Sequence, residues 1–546
     1  MKSLTCDVLV IGGGATGAGV LFDLAVRGLK VILAEQNDIG TGTSGRYHGL
    51  LHSGARYVVR DPLSARECIE ENRILRKIAP HVLEDTGGWF AAFPPDDPAY
   101  VPLWLQGCAA VGIPTERLTP AEALRAEPHL NPAVREVYRV PDAACDSFEL
   151  THSLVEGAAA YSGQTLNYHV VSAIHVEGGR VRGATLRHRR TREEIRVHSE
   201  VIVNAAGPWA GEVGKLAGVQ IGMSLSKGIM IAINVRWVNT IINRLTKPGD
   251  GDILVPVGTV AVIGTTSVTV ERPDDLSITP KEVSEMLDEG EVMIPNFRRA
   301  RALRAWAGVR PLYDPGGTGG GEAHDEHTAE EDDEGRFITR TFTTLDHSAD
   351  DAAGMLSIVG GKLTTYRQMA EKIGDQVCQL LNIKRPCTTA GIQLPLPRWS
   401  REHGNRFHAL TNRLQVLERS ETHSGLICEC ELVTRPQIEA AISVSGEGVS
   451  LDDLRRDLRV GMGPCQGGFC AYRTAGILGE MQHLPAPQTV SALHDFVEER
   501  FRGNRPLLWG HQLRQALLDE MIYRRALGLT ASTSETQSPQ ESATHG

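Results

Sequence analysis

The chain has no run of about 18 apolar residues, so no membrane-spanning helix is expected. It also lacks a concentrated basic stripe. With a net charge of −11 over 546 residues, nucleic acid is not an expected partner. No internal repeat is visible. The N-terminus, Met1-Lys-Ser-Leu-Thr-Cys-Asp7, leads straight into an apolar strand and leaves no room for a signal peptide. Without a secretion signal the ten cysteines read as reduced. What is present is ordinary for a folded protein: 41% apolar and 23% charged residues, in a chain long enough for more than one domain.

The most informative stretch runs from Asp7 to Glu35. Val8 to Ile11 form an apolar run of the kind a strand buried on both faces needs. Gly12, Gly14 and Gly17 follow as G-x-G-x-x-G, for a tight turn, close approach to a pyrophosphate, and helix-on-strand packing. Val20, Leu21, Leu24 and Ala25 recur at helical spacing, and Gly28 suits the helix end. Val31 to Ala34 give a second strand. Glu35 at its tip can accept both ribose hydroxyls and disfavours a 2′-phosphate.

Residues 39–57 are rich in Gly, Ser and Thr, which excludes a regular element in the first half. Such a loop can wrap a cofactor, with Leu50, Leu51 and Tyr57 anchoring it. Helices are expected over 63–79, around Trp104–Ala110, over 150–162 and over Lys281–Ile294, with a strand at Val137–Val140. Residues 165–203 alternate as a β-meander. The meander ends in Val201-Ile-Val-Asn-Ala-Ala-Gly-Pro-Trp-Ala210, a strand able to return to the first sheet. Gly207 and Trp209 there fit either a cofactor contact or an ordinary turn and core. Ile229–Val235, Ile253–Val257 and Val260–Thr266 predict a second, antiparallel sheet. Asp314–Arg336 is expected to be a mobile acidic loop. Met355–Arg367 is a second strand–glycine–helix junction. Its helix N-terminus can stabilise negative charge on an electron-rich ring. A linker is placed at 396–424 and a disordered tail at 531–546.

Four cysteines stand apart: Cys428, Cys430, Cys465 and Cys470, spaced C-x-C-x34-C-x4-C. Four thiolates from two segments can hold a [2Fe-2S] cluster. A structural zinc site is the alternative occupant, and it usually prefers a C-x2–4-C knuckle. Small helices are expected around Ile438, Ala441, Ile442, Leu451, Leu454 and Leu458. Helices over 491–529 carry Trp509, Leu513, Leu517 and Ile522, which suit packing on this module or on a partner.

Together the fingerprint, Gly42-Thr-Ser-Gly…Leu-His-Ser-Gly-Ala-Arg56, Asn204-Ala-Ala-Gly-Pro-Trp209, Gly308-Val-Arg-Pro-Leu312 and Gly360-Gly-Lys-Leu-Thr-Thr-Tyr-Arg367 resemble the FAD-dependent glycerol-3-phosphate dehydrogenases. The resemblance covers residues 1 to about 395. The cysteine module resembles bacterioferritin-associated ferredoxin and points to the large catalytic subunits of the anaerobic branch. The implied fold is α/β. It comprises a Rossmann-like FAD-binding domain (about 1–60, 150–215 and 340–385) with an antiparallel substrate cap, D-amino-acid-oxidase-like. A helical four-cysteine module (425–475) and C-terminal helices (476–530) follow.

The resemblance also implies the chemistry: oxidation of sn-glycerol 3-phosphate to dihydroxyacetone phosphate, with electrons leaving through the cluster and partner subunits to a quinone. Gly12, Gly13, Gly14, Ala15, Thr16, Gly17 and Glu35 would hold the nucleotide. Thr43, Ser44, Leu50, Gly207, Gly361, Leu363 and Thr364 would line the flavin, and Arg56, Arg310 and Lys362 the dianionic substrate. His52 is the candidate base, or else a structural histidine tethering the flavin loop. Arg310 has the alternative of a salt-bridged cap residue. Where membrane-dwelling relatives carry a histidine before an Ile-Val-Val-Pro strand, this chain has Asp252. The implied location is the cytoplasmic face of the cell membrane, held there by a membrane-anchoring partner. The rivals are an FAD enzyme for another small hydroxy or amino acid, and a non-catalytic iron–sulfur scaffold or sensor.

Overall fold

The computed structural model describes residues 2–314, 341–397, 410–419, 425–445, 448–526 and 528–529. The expected acidic loop and the tail fall outside this set, apart from Asp314. So does most of the expected linker, but within it a helix spans Leu410–Arg419. Leu410, Leu414 and Leu417 recur there at helical spacing, a pattern that low overall apolar content conceals.

Two large sheets organise the chain. The first has eight strands, drawn from residues 2–34, 164–204 and 342–360. At its centre β1 (Lys2–Ile11) lies parallel to β2 (Val31–Ala34), with Val8 opposite Val31. On its other side β1 pairs with Glu194–Asn204, Val8 opposite Val201, so the strand ending in Asn204 does return to the first sheet. Successive side chains of these strands enter two different cores. Val8, Val10, Leu33 and Val203 face the helical layer, while Leu9, Ile11, Ile32 and Ile202 face the layer below. That is why the runs are continuously apolar rather than alternating. α1 (Ala15–Val26) packs between helices Ser147–Ala159 and Tyr366–Leu380.

The second sheet has nine strands, drawn from residues 88–140 and 223–313. It is antiparallel except where Ile241–Arg244 runs parallel to Gly88–Ala92, a departure from the all-antiparallel expectation. Gly88–Ala92 is a strand that the sequence reading lacked. Its five residues are all buried, and it is too short to show a period. The helix expected at Trp104–Ala110 extends over Tyr100–Val111, because Pro102 falls in its first turn, where a missing N–H costs nothing.

The cysteine-rich region forms a third core. Ile438, Leu454 and Leu458 pack with Leu493, Phe496 and Phe501 of the helix Ala486–Asn504. That helix also reaches the second sheet: Arg304 pairs with Glu499 at 2.7 Å. Trp509, Leu513, Leu517 and Ile522 remain 39–50% exposed. No helix among the described residues is long and apolar enough to cross a membrane.

Candidate functional site

A cavity of about 1110 Å³ opens at the C-terminal ends of β1, β2 and Glu194–Asn204, where an open parallel sheet offers a crevice. Gly12 turns the chain out of β1 with φ +106°, and a Cβ there would lie 2.7 Å from the Ala205 carbonyl oxygen. Gly14 precedes α1 in extended conformation without a side-chain cap, leaving first-turn N–H groups toward the cavity. One of them, Ala15 N, donates to Ser44 Oγ at 2.9 Å. Gly17 does not line the cavity. A Cβ on it would sit 1.8 Å from the Gly12 carbonyl oxygen, so its role is packing α1 on the turn. Glu35 ends β2 and accepts from Gly13 N (2.7 Å) and Asn37 N (2.8 Å). Burial raises its carboxyl pKa against the pull of those amides. Each oxygen keeps a second acceptor direction for a ribose hydroxyl.

The loop after Glu35 is held at both ends. Thr43 Oγ1 donates to Val309 O at 2.6 Å, tying it to the strand Ala302–Tyr313. Leu50–Leu51 pairs with Ala143–Cys145, and Ser53 N donates to Asp142 at 2.6 Å. Leu50 and Leu51 are buried as anchors, while Tyr57 is half-buried.

At the far end, Arg56, Arg310 and Lys362 line one wall region with His48 and His52. Arg310 is aimed by neutral groups. It donates to Ser226 Oγ (3.1 Å), Thr265 Oγ1 (2.5 Å) and Thr266 O (2.9 Å). Arg56 donates to Asp252 at 2.5 Å and to Gly249 O at 3.0 Å. Asp252 is thus the carboxylate that orients Arg56. Lys362 Nζ sits 5.0 Å from the Tyr57 ring centre, and Tyr57 also meets the His52 ring edge-on at 5.4 Å.

His52 is neutral. Burial, then Lys362, His48 and Arg56, push its pKa down to about 3. Its Nδ1 is buried without a hydrogen-bond partner among the described residues. His48 is likewise held down at about 3, by burial and then Arg56 and Arg310. It escaped the sequence reading, although it stands four residues before His52 in the same loop, which was the available signal. Gly207, Trp209, Gly361, Leu363 and Thr364 line the same cavity, and Thr364 Oγ1 is also buried without a partner among the described residues. The first turn of α1, the glycine cradle and the unpartnered Thr364 Oγ1 fit a long dinucleotide such as FAD.

The four cysteines converge. Cys470 neighbours both Cys428 and Cys465, and these contacts raise its own pKa and lower theirs, that of Cys465 to about 5. Burial first, and then its contacts with Cys465, raise Cys430 to about 12. Backbone N–H groups of Gly461 and Glu431 reach Cys428, and those of Gly467 and Phe469 reach Cys465. Sulfur acceptors surrounded by amides fit an iron–sulfur centre, whose properties depend on hydrogen bonds to its sulfurs. Of the six scattered cysteines, five are buried and Cys387 is half-buried.

Comparison with known proteins agrees with this geometry. Residues 7–366 match the family model described as FAD dependent oxidoreductase, and residues 426–480 that of the BFD-like [2Fe-2S] binding domain. The A subunit of the anaerobic glycerol-3-phosphate dehydrogenase of Escherichia coli K12 is 40% identical over 550 residues, covering 96% of this chain and 98% of the relative. The A1 subunit of the corresponding Haloferax volcanii enzyme is 41% identical over 544 residues, covering 95% and 90%. The fold resembles that of the Bacillus halodurans glycerol-3-phosphate dehydrogenase complexed with FAD, with a TM-score of 0.63 at 22% identity, covering 93% of this chain and 97% of the other.

Proposed function

The chain belongs to the FAD-dependent oxidoreductases, in the family of the anaerobic glycerol-3-phosphate dehydrogenase A subunits, and we propose that it oxidises sn-glycerol 3-phosphate to dihydroxyacetone phosphate. The observation that carries this reading is the convergence of Arg56, Arg310 and Lys362 on one cavity with two neutral histidines. A phosphate monoester is close to a dianion at neutral pH, and fixed guanidinium groups match its oxygens. Bound FAD supplies the hydride acceptor, and the [2Fe-2S] centre a one-electron exit.

Arg310, already aimed by Ser226, Thr265 and Thr266, is the phosphate clamp. Arg56, steadied by Asp252, and Lys362 complete the cationic wall. The C2 hydroxyl proton passes to His52 Nδ1, a buried imidazole nitrogen with no competing partner among the described residues. The phosphate beside it favours the imidazolium that forms. The nucleotide is held by Gly12–Gly14, Ala15, Thr16 and Glu35, and the ring by the loop carrying Thr43, Ser44 and Leu50 and by Gly361–Thr364. Gly17 contributes through packing. Residues 1–395 are the flavin unit and 425–475 the cluster unit.

Cys428, Cys430, Cys465 and Cys470 would hold the [2Fe-2S] centre, which would supply one-electron transfer toward electron-transfer and anchor subunits and a quinone. This would place the chain at the cytoplasmic face of the membrane. The test is anaerobic mixing of the coloured protein with glycerol 3-phosphate, which should bleach the flavin. Bleaching by a non-phosphorylated hydroxy or amino acid instead would overturn the assignment. Absence of turnover with any artificial acceptor would favour a sensor.

A further inference from the structure

Between the flavin-lining loop and the four cysteines stands one short hairpin. Ile253–Val257 and Val260–Gly264 pair antiparallel, Val257 opposite Val260, leaving a two-residue turn of Gly258 and Thr259. Gly258 has φ +57°, which suits glycine at the first central position of such a turn. On the flavin side, Val257 packs in a small cluster with Leu50, a cavity residue. A Cβ on Gly49 would lie 3.2 Å from Val257 Cγ2, so the turn abuts that loop directly. On the other side, Thr259 Oγ1 donates to Glu431 Oε1 at 2.9 Å, and Glu431 directly follows Cys430. A Cβ on Gly463 would lie 2.4 Å from Cys430 Cβ and 3.3 Å from Thr259 Oγ1, so the tip presses on the cysteine segment too.

The tip is fixed. Arg236 donates to Gly258 O at 2.8 Å and is paired with Glu84. Arg459 pairs with Glu431 at 3.1 Å, and its guanidinium covers Gly258. Two arginines therefore lock the turn, one from each side of the junction.

We infer that the Val257–Val260 turn is the contact through which electrons cross from the flavin pocket to the cysteine centre. Thr259 and Glu431 would be its positioning residues. The inference rests on the proposal that both centres are loaded. Within the chain, the route from Gly49, next to Leu50, to Cys430 has one van der Waals gap, at Val257, and one hydrogen bond, at Thr259. The rest is covalent. Electronic coupling decays more steeply across a gap than along bonds, so a route with one gap is favoured. One electron crosses at a time, oxidising the reduced flavin by one electron and turning one ferric ion of the centre ferrous. No heavy-atom bond forms or breaks. A one-electron acceptor outside the chain must reoxidise the centre before the second electron follows.

The test uses the full, loaded chain under anaerobic conditions. The flavin is reduced in parallel by glycerol 3-phosphate and by photoreduction, and the reduced cluster is followed by its paramagnetic resonance signal after rapid freezing. Thr259→Val should slow cluster reduction several-fold under both reductants and leave flavin bleaching and the cluster potential unchanged. Thr259→Ser should restore the rate. Wild-type cluster kinetics in Thr259→Val would overturn the inference, as would an equal slowing of flavin bleaching. If only photoreduction reduces the flavin, the substrate assignment fails while the route is still tested. A second readout needs no turnover: hydrogen exchange of residues 257–260 should be slow in the wild type and faster in Glu431→Ala. Equal exchange in both would also overturn it.

Discussion

At the scale of single residues, the site is an arrangement of charges each aimed by fixed partners. Arg310 illustrates this, since hydroxyls and a carbonyl aim its guanidinium into the cavity. Arg310→Ala should lower kcat/KM for glycerol 3-phosphate by about tenfold to a hundredfold, the worth of about one charged hydrogen bond. Saturation kinetics would check this. His52 carries a pH signature. Its pKa is pushed down to about 3, below the ordinary imidazole value, so the free enzyme keeps the base deprotonated across the neutral range. kcat/KM also follows the free substrate, whose phosphate loses its second proton at about pH 6; once that ionisation is divided out, no further break should appear near pH 6.5, where an ordinary histidine would titrate, and the corrected profile should fall only at markedly lower pH. His52→Gln should cost roughly 10²–10⁴-fold in kcat. The glycines and Glu35 were legible because each sits at a position only its chemistry suits. The Arg56–Asp252 pairing was not, because a contact across 196 residues leaves no mark on spacing, and His48 was passed over although it stands four residues before His52.

At the scale of elements, the two strand–glycine–helix junctions were the readable parts, since buried parallel strands are long apolar runs and their turns demand glycine. Gly12→Ala places a Cβ 2.7 Å from Ala205 O at φ +106°. It should yield a folded protein that has lost its flavin colour, checked by absorbance and far-ultraviolet dichroism. Cys465→Ser should do the opposite, keeping the flavin while iron and the cluster signal are lost. The second sheet was only partly legible. Gly88–Ala92 is a five-residue strand, and one of its two pairing partners, Ile241–Arg244, comes about 150 residues later. The helix Leu410–Arg419 was hidden inside a polar stretch.

At the scale of the whole molecule, the cysteine module is bolted to both larger parts. Its helix Leu451–Leu458 meets the flavin unit through charged groups: Arg456 with Asp38 at 3.5 Å, Tyr168 with Asp453 at 2.6 Å, and His152 between Asp38 and Asp457. Burial opposes the charged imidazole, but the bond to Asp38 and the Asp457 carboxylate win and raise His152 to about 9. A raised histidine stabilises when protonated. The contribution is complete below the ordinary value near 6.5 and is lost as pH climbs through about 9. It is on the order of 1–3 kcal/mol. Hydrogen exchange in Leu451–Leu458 should therefore accelerate between about pH 7 and 10, and Asp38→Asn should bring that acceleration to lower pH.

The module and the C-terminal helices that follow it also grip the second sheet, through Thr259–Glu431, Arg304–Glu499 and Arg301–Asp519. First sheet, cysteine module and second sheet thus close a ring of mutual attachments among the described residues, which restrains their relative movement. An alcohol entering and a ketone leaving would share a doorway of constant width, so the pace of departure would be set by how firmly the cationic wall holds a phosphate, not by the swing of a gate.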